Sequence, residues 1–301
     1  MKYSLVVIAA CAMLWAPGPS FAQSTAAPAA PAATVLHANA AFPSPLPSAP
    51  IADWVDDAGR TTVTVDSAGT TLRGWLYPGS DPSSKLVVLY FYGNGGTIDR
   101  YDEFMHKIAA LGPRVITFDY RGYGFSSGTA DLLTIREDAL LEFDLATQIA
   151  GDPGHVVVLG FSMGTAVASY VASQRKIGAL ALIAPIATVT EEYPYYAVAN
   201  GMSPKEAAAL VPAPDAHQVF DEVDLVDKST APLVVIHGDA DELVSYAQGK
   251  EVLAASTGNP KHLVTLPGIH HNDAPMQPAT FDALAALFAT VCAPGSTANG
   301  C

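Results

Sequence analysis

The sequence predicts an α/β fold: a mostly parallel central sheet with helices on both faces and a small cap insertion. Short apolar runs at 86–92, 115–119, 155–159, 179–183, 233–236 and 262–266 are separated by helix-length segments. Strands apolar on both faces and joined by crossover helices require a buried parallel sheet. Ahead of them, Thr61-Thr62-Val63-Thr64-Val65 and Thr71-Leu72-Arg73-Gly74-Trp75-Leu76-Tyr77, joined by Asp66-Ser67-Ala68-Gly69, read as an antiparallel hairpin. Between Pro185 and Lys228 the strand–helix alternation fails. That break marks the insertion.

The helices follow from apolar spacing. Ile98, Tyr101, Met105 and Ile108 recur at helical intervals within 97–111. Further helices are expected over 132–149, after Ser162, over 245–255 and over 280–291. In the inserted segment, about 186–228, Ser203-Pro204-Lys205-Glu206 has the form of a helix start, with Ser203 as N-cap, Pro204 in the first turn and Glu206 three residues after the cap. The segment also holds Tyr193, Tyr195, Tyr196 and Met202. Two readings stay open for it: a cap that shapes an acyl-binding pocket and excludes water, or an extra helix pair covering the sheet.

The chain of 301 residues is half hydrophobic and long enough for one sizeable core. Residues 1–22 combine Lys2, the apolar run 5–16 and small residues at Ser20 and Ala22. This is the pattern of a secretory signal peptide cut before Gln23, and the run is shorter than the ~20 residues a spanning helix needs. The expected location is therefore exported, periplasmic or secreted, with no integral membrane span. Ile8-Ala9-Ala10-Cys11 also resembles a lipoprotein cleavage box, the second reading. Residues 23–50, rich in Ala and Pro, read as an extended spacer. The folded domain is expected over 51–293, beginning near Asp53-Trp54, with 294–301 as a tail. In an oxidising compartment Cys292 and Cys301 can pair; two free thiols are the alternative.

The net charge is −14, and loss of residues 1–22, with Lys2 as their one charged side chain, leaves 14 − 29 = −15. Such acidity argues against nucleic acid as a partner, because phosphate binding rests on clustered Lys and Arg. Neither late cysteine has a second Cys or His at finger-like spacing, and the dispersed histidines show no ligand spacing. No metal and no cofactor are expected.

The chemistry points to serine. Gly160-Phe161-Ser162-Met163-Gly164 lies between the apolar run 155–159 and a helix-like segment. A G-x-S-x-G turn between a buried strand and a helix strains the serine backbone, admits only glycine on either side and lifts the hydroxyl clear of the sheet. The helix N-terminus aims its amides at the same spot, so the Met163 amide can donate to an oxyanion. Serine needs a base, and the base needs an orienting acid. Asp239, Asp241 and Glu242 follow one buried strand, and His270 and His271 follow the next. The order Ser, Asp, His suits a sheet of this kind. His237 closes a strand and is read as structural.

Six motifs in order carry a family resemblance over residues 71–287: Gly74-Trp75, Tyr92-Gly93-Asn94-Gly95, the segment Asp119-Tyr120-Arg121-Gly122-Tyr123-Gly124-Phe125-Ser126-Ser127-Gly128, the serine turn, His237-Gly238-x-x-Asp241 and His271-Asn272-Asp273. The chain resembles alpha/beta-hydrolases of the lipase-like, serine aminopeptidase-like group, which includes bacterial esterase-like proteins and protein depalmitoylases. By that resemblance Asp241 is the triad acid, His271 the base and the Asn94 amide the second oxyanion donor. Tyr92 departs from the group's usual His at this position, so the Asn94 assignment holds if the loop path survives. The long glycine-rich segment reads as scaffold, with Arg121 anchoring it through an ion pair.

The resemblance implies a serine hydrolase that cleaves carboxylic esters, with thioesters a second class, acting on a small-molecule ester or acyl substrate. Two alternatives stand beside it. One is an aminopeptidase-like hydrolase, with Glu191, Glu192 and Asp215 receiving a peptide's amino terminus. The other is a non-catalytic binding module tethered by the spacer.

Overall fold

The computed structural model describes residues 34–41, 59–293 and 301. The expected signal peptide, the spacer outside 34–41 and residues 294–300 of the tail lie outside the described residues. In chain order the strands and helices are β1 (Thr34–Leu36), β2 (Thr61–Ser67), β3 (Thr70–Tyr77), β4 (Val87–Phe91), α1 (Asp102–Ala109), β5 (Arg114–Phe118), α2 (Leu132–Ala150), β6 (Val156–Phe161), α3 (Met163–Gln174) and β7 (Ala179–Ile183). The cap follows, with α4 (Val189–Ala199), α5 (Pro204–Ala207), β8 (Leu210–Pro212), α6 (Pro214–Phe220) and α7 (Val223–Val226). Then come β9 (Leu233–Gly238), α8 (Tyr246–Ala255), β10 (Lys261–Leu266) and α9 (Pro278–Cys292).

Among the described residues the main sheet has eight strands in the order β10-β9-β7-β6-β4-β5-β3-β2. β3 runs antiparallel to both β2 and β5, and every other pair is parallel. The hairpin turn carries positive φ at Ala68 (51°) and Gly69 (84°), the geometry that matches the twist of a two-residue β-turn. β4, β6, β7 and β9 are buried along their whole length. This is why they read in sequence as continuous apolar runs rather than as alternating ones.

The strand order places the functional loops. After β4 the chain moves outward to β5, and after β6 it moves the other way to β7, while β4 and β6 lie side by side with Phe91 opposite Gly160. Loops leaving neighbouring strands in opposite directions open a crevice at their carboxyl ends. Gly93 and Asn94 leave one side of it, and Ser162 leaves the other.

The expected spacer differs in part from the structure. Thr34–Leu36 pairs in parallel with Leu210–Pro212 of the cap. Ala213 N–H donates to the Leu36 carbonyl at 2.7 Å, Ala38 N–H donates to Asp215 at 3.2 Å, and Leu132 N–H donates to Asn39 Oδ1 at 3.0 Å. Ala38 is buried. The β-branched pair Thr34-Val35 can adopt the extended conformation that the open edge of β8 accepts, and composition averaged over 23–50 conceals it. At the other end of the chain, Cys292 and Cys301 are joined by a disulfide.

Candidate active site

Ser162 sits at φ 52°, ψ −127°, a strained backbone for a residue with a side chain. The flanking glycines are required by contact. A Cβ on Gly160 would lie 2.5 Å from the Gly164 carbonyl oxygen, and one on Gly164 would lie 2.1 Å from that of Phe91. The turn is therefore pressed between its own helix and β4. Ser162 precedes the first residue of α3, so Met163 brings the amide end of that helix to the serine.

The structure brings Ser162, His271 and Asp241 together. His271 Nε2 lies 2.9 Å from Ser162 Oγ, and His271 Nδ1 lies 2.7 Å from Asp241 Oδ2. Both His271 and Asp241 are buried, and the imidazole packs 5.1 Å from the Phe161 ring, centroid to centroid. Asp241 Oδ1 accepts from the amides of Leu243 and Val244 at 2.9 and 2.8 Å. Burial alone would push this carboxyl upward. Hydrogen bonds from His237 and His271, the His271 charge and the Val244 amide more than reverse it and hold Asp241 well below the usual carboxylate range. An ionised Asp241 accepts the Nδ1 proton of His271 and so turns Nε2 toward the serine hydroxyl.

The neighbouring candidates go elsewhere. His270 is exposed and pairs with Glu242, 2.9 Å from Nδ1 to Oε2, which raises its pKa. Asp239 accepts from the Gly268 amide at 2.6 Å. His237 is fully buried, with Nε2 3.1 Å from the Val244 carbonyl oxygen and 3.3 Å from Asp241 Oδ2. It braces the loop that carries the acid, in keeping with a structural reading.

Tyr92 turns into the core. Its hydroxyl accepts from the Tyr120 amide at 3.0 Å, its carbonyl accepts from the Tyr120 hydroxyl at 2.7 Å, and its ring stacks on Tyr101 at 5.5 Å. Asp119 receives the amides of Ile98 and Phe125 at 3.0 and 2.9 Å and faces the Tyr92 hydroxyl at 3.4 Å. Burial pushes Asp119 up to about 6, and these donors oppose the rise. One buried carboxyl thus ties the loop after β4 to the loop after β5. Arg121 makes the ion pair expected of it, and the structure supplies the partner, Asp138, held at two points.

A cavity of about 120 Å³ opens over the serine. Gly93, Asn94, Met163 and His271 lie at its base, Phe161, Ile186, Leu243 and Val244 give apolar wall, and Glu192, Tyr193 and Tyr196 come from α4 of the cap. Of the two open readings of the insertion, the structure supports the cap that forms part of a pocket. Among the acids considered for an amino terminus, Asp215 is engaged by His37 and Ala38, and Glu191 is exposed beside Glu251. Glu192 reaches the cavity.

Sequence reasoning missed a second buried network. Glu222, fully buried ahead of α7, lies 2.5 Å from Thr165 Oγ1 and accepts from Ser169 Oγ and the Ile186 amide, each at 3.0 Å. Gln248 of α8 accepts from the Ala187 amide at 3.0 Å and donates to Glu192 at 2.8 Å. Burial pushes both Glu222 and Glu192 up to about 8. An acid flanked by apolar residues, as in Val219-Phe220-Asp221-Glu222-Val223, is the available sequence signal. It does not name the partners. Among the described residues no group of three or more His, Cys, Asp or Glu side chains is placed to hold a metal ion, and no helix is long and apolar enough to cross a membrane.

Comparison with known proteins agrees with this architecture. A family profile described as alpha/beta hydrolase fold matches residues 87–197. The chain is 33% identical over 237 residues to the uncharacterized protein Rv2307c of Mycobacterium tuberculosis, covering 77% of this chain and 79% of that protein. It is 30% identical over 180 residues to the lysophosphatidylserine lipase ABHD12 of Macaca fascicularis; the match takes in 56% of this chain and 45% of the lipase. Among solved structures, the Pyrococcus furiosus esterase PF2001 superposes with a TM-score of 0.63 at 16% identity, over 82% of this chain and 96% of that one. Est1E from Butyrivibrio proteoclasticus, bound to ferulic acid, gives 0.57 at 20% identity, over 75% and 96%. With the sheet order, the serine turn and the extent of these matches in agreement, the chain belongs to the alpha/beta-hydrolase superfamily.

Proposed function

We propose that the protein is an exported serine hydrolase that cleaves short-chain carboxylic esters, with thioesters as a second class, through an acyl-enzyme. The observation that carries this reading is the run of contacts Ser162–His271–Asp241, 2.9 Å and 2.7 Å, in a pocket. Ser162 Oγ attacks the ester carbonyl while His271 Nε2 takes its proton, and Asp241 stabilises the imidazolium. The Met163 amide, at the start of α3, and the Asn94 amide, after β4, are assigned to the oxyanion; Tyr92 leaves their approach open because its ring is committed to the core. The imidazolium then protonates the leaving alcohol. Water, deprotonated by His271, attacks the acyl-enzyme, and its collapse releases the acid and restores Ser162. The pocket is smaller than the ~150 Å³ void that holds a benzene ring, which favours acyl groups of a few carbons.

Esterase and lipase activities among the relatives and neighbours support the same reaction class. Export rests on the amino-terminal pattern, and an intact mass beginning at Gln23 tests it. For the chemistry, Ser162→Ala should remove nearly all hydrolysis of p-nitrophenyl esters and all fluorophosphonate labelling while preserving the thermal transition. Unimpaired turnover by that variant excludes the mechanism. A wild-type protein that resists labelling while a control esterase is labelled would favour the non-catalytic binding module.

A further inference from the structure

The cavity over Ser162 is not lined as a simple acyl slot would be. Apolar wall and tyrosine rings surround a carboxyl group, Glu192, on the cap helix α4. The residue is buried, and its placement is fixed by a chain of hydrogen bonds. The Ala187 amide donates to Gln248 Oε1 at 3.0 Å, which forces the Gln248 NH₂ toward Glu192, where it donates to Oε2 at 2.8 Å. Gln248 is itself buried and has no freedom to reverse. One carboxyl oxygen is thereby occupied, and the remaining polar capacity of Glu192 belongs to the cavity.

We propose that this pocket selects short acyl esters carrying a hydroxyl group on the acyl chain, with Glu192 as the residue that reads the hydroxyl. The proposal rests on the serine-hydrolase reading and refines its substrate class.

The choice of hydroxyl over ammonium follows from electrostatics. Burial, opposed by the Gln248 donor and reinforced by Asp241 and Glu222, pushes Glu192 up to about 8, so at neutral pH the group is a neutral acid with an O–H to donate. A hydroxyl can accept that proton and donate its own. An ammonium would have to shed its water and force Glu192 to ionise away from bulk solvent, a desolvation penalty on both charges that the pair must first overcome. The hydroxyl is assigned to the acyl side, and the esters compared below share one leaving group so that they differ on that side alone.

The test compares kcat/KM for p-nitrophenyl esters of butyrate, of each enantiomer of 3-hydroxybutyrate and of 3-aminobutyrate. Wild type, Glu192→Gln and Glu192→Leu are assayed, and fluorophosphonate labelling and a thermal melt check each variant. Wild type should prefer one hydroxy enantiomer over butyrate by at least about tenfold. Glu192→Gln, which keeps a donor, should retain part of that ratio, and Glu192→Leu should bring it to about one. A wild-type ratio near one, a preference for the amino ester, or an unchanged ratio in Glu192→Leu overturns the proposal while ester turnover leaves the serine-hydrolase reading standing. If wild type neither turns over butyrate nor is labelled, it is the underlying reading that fails. Should Glu192→Leu not fold, the wild-type ratio and Glu192→Gln still decide.

Discussion

Glu222 lies directly beneath the serine turn: its Oε1 is 2.5 Å from Thr165 Oγ1, and that same hydroxyl is 2.5 Å from the Ser162 carbonyl oxygen. One hydroxyl proton cannot serve two acceptors. A protonated Glu222 resolves the conflict by donating to Thr165, which then donates to Ser162. The upward shift of this buried carboxyl to about 8 agrees with that state at neutral pH. The first turn of α3 is thus held from below by a neutral acid.

This has a signed consequence for stability. Between an unfolded value near 4.5 and a folded value of about 8, the native protein keeps a proton that the unfolded chain releases, so stability falls as pH rises through that window. Glu192 acts in the same direction, with a folded value of about 8. Asp241, held low, acts the opposite way, and its contribution is lost only under strong acid. Tm should be several degrees lower at pH 9 than at pH 6, since 1 kcal/mol moves it by roughly 2–4 °C in a domain of this size. Glu222→Gln preserves an acceptor and a donor and should flatten the slope in part. Equal slopes in the variant and wild type would refute the assignment.

Asp241→Asn tests the orientation of the base. The amide can present its NH₂ to His271 Nδ1 and so favour the wrong tautomer, which should lower kcat by about 10³–10⁴-fold with a smaller change in KM. Steady-state kinetics on a short p-nitrophenyl ester reads this directly. A loss below tenfold would mean that another group orients the imidazole.

The sequence makes Ser162, Asp241 and His271 legible because each lies in a loop that follows a strand of the parallel sheet, β6 and β9 buried throughout and β10 the partly exposed edge strand. Ser162, Asp241 and His271 therefore stand at one sheet edge whatever the intervening helices do. Glu222 and Gln248 are not legible in that way. They sit in or beside helices with no local pattern of their own, and their roles exist only once α3, α7 and α8 are packed together. The hairpin, the parallel strands and the Ser203 capping box stand within a residue or two of where periodicity and end signals put them. Residues 97–111 divide instead into a 3-10 turn over Ile98–Tyr101 and α1, because the chain must first deliver the Ile98 amide to Asp119.

Gly164→Ala tests how tightly the turn is pressed against β4. The new methyl group would meet the Phe91 carbonyl at 2.1 Å and the Tyr92 carbonyl at 2.7 Å, backbone atoms that cannot swing aside. Destabilisation of about 1–3 kcal/mol is expected from such overpacking, with a larger loss of kcat/KM as Ser162 is displaced. Chemical denaturation with parallel kinetics measures both. A fully active, equally stable variant would refute the contact.

Acyl length tests the pocket. Across unsubstituted p-nitrophenyl esters from acetate to decanoate, kcat/KM should peak at a few carbons and fall by at least about tenfold by the longest chain, as the cavity of about 120 Å³ overfills. A steady rise with chain length would mean that the cap moves aside.

The pairing of Thr34–Leu36 with Leu210–Pro212 bears on where this domain can be cut. Trimming the chain to the start of its obvious hydrophobic pattern would strip the strand that pairs with β8 of the cap and leave Asp215 without the Ala38 amide it holds. A recombinant fragment meant to keep native selectivity should begin upstream of Thr34. A shorter one would keep Ser162 and lose the contacts that join the amino-terminal segment to the cap.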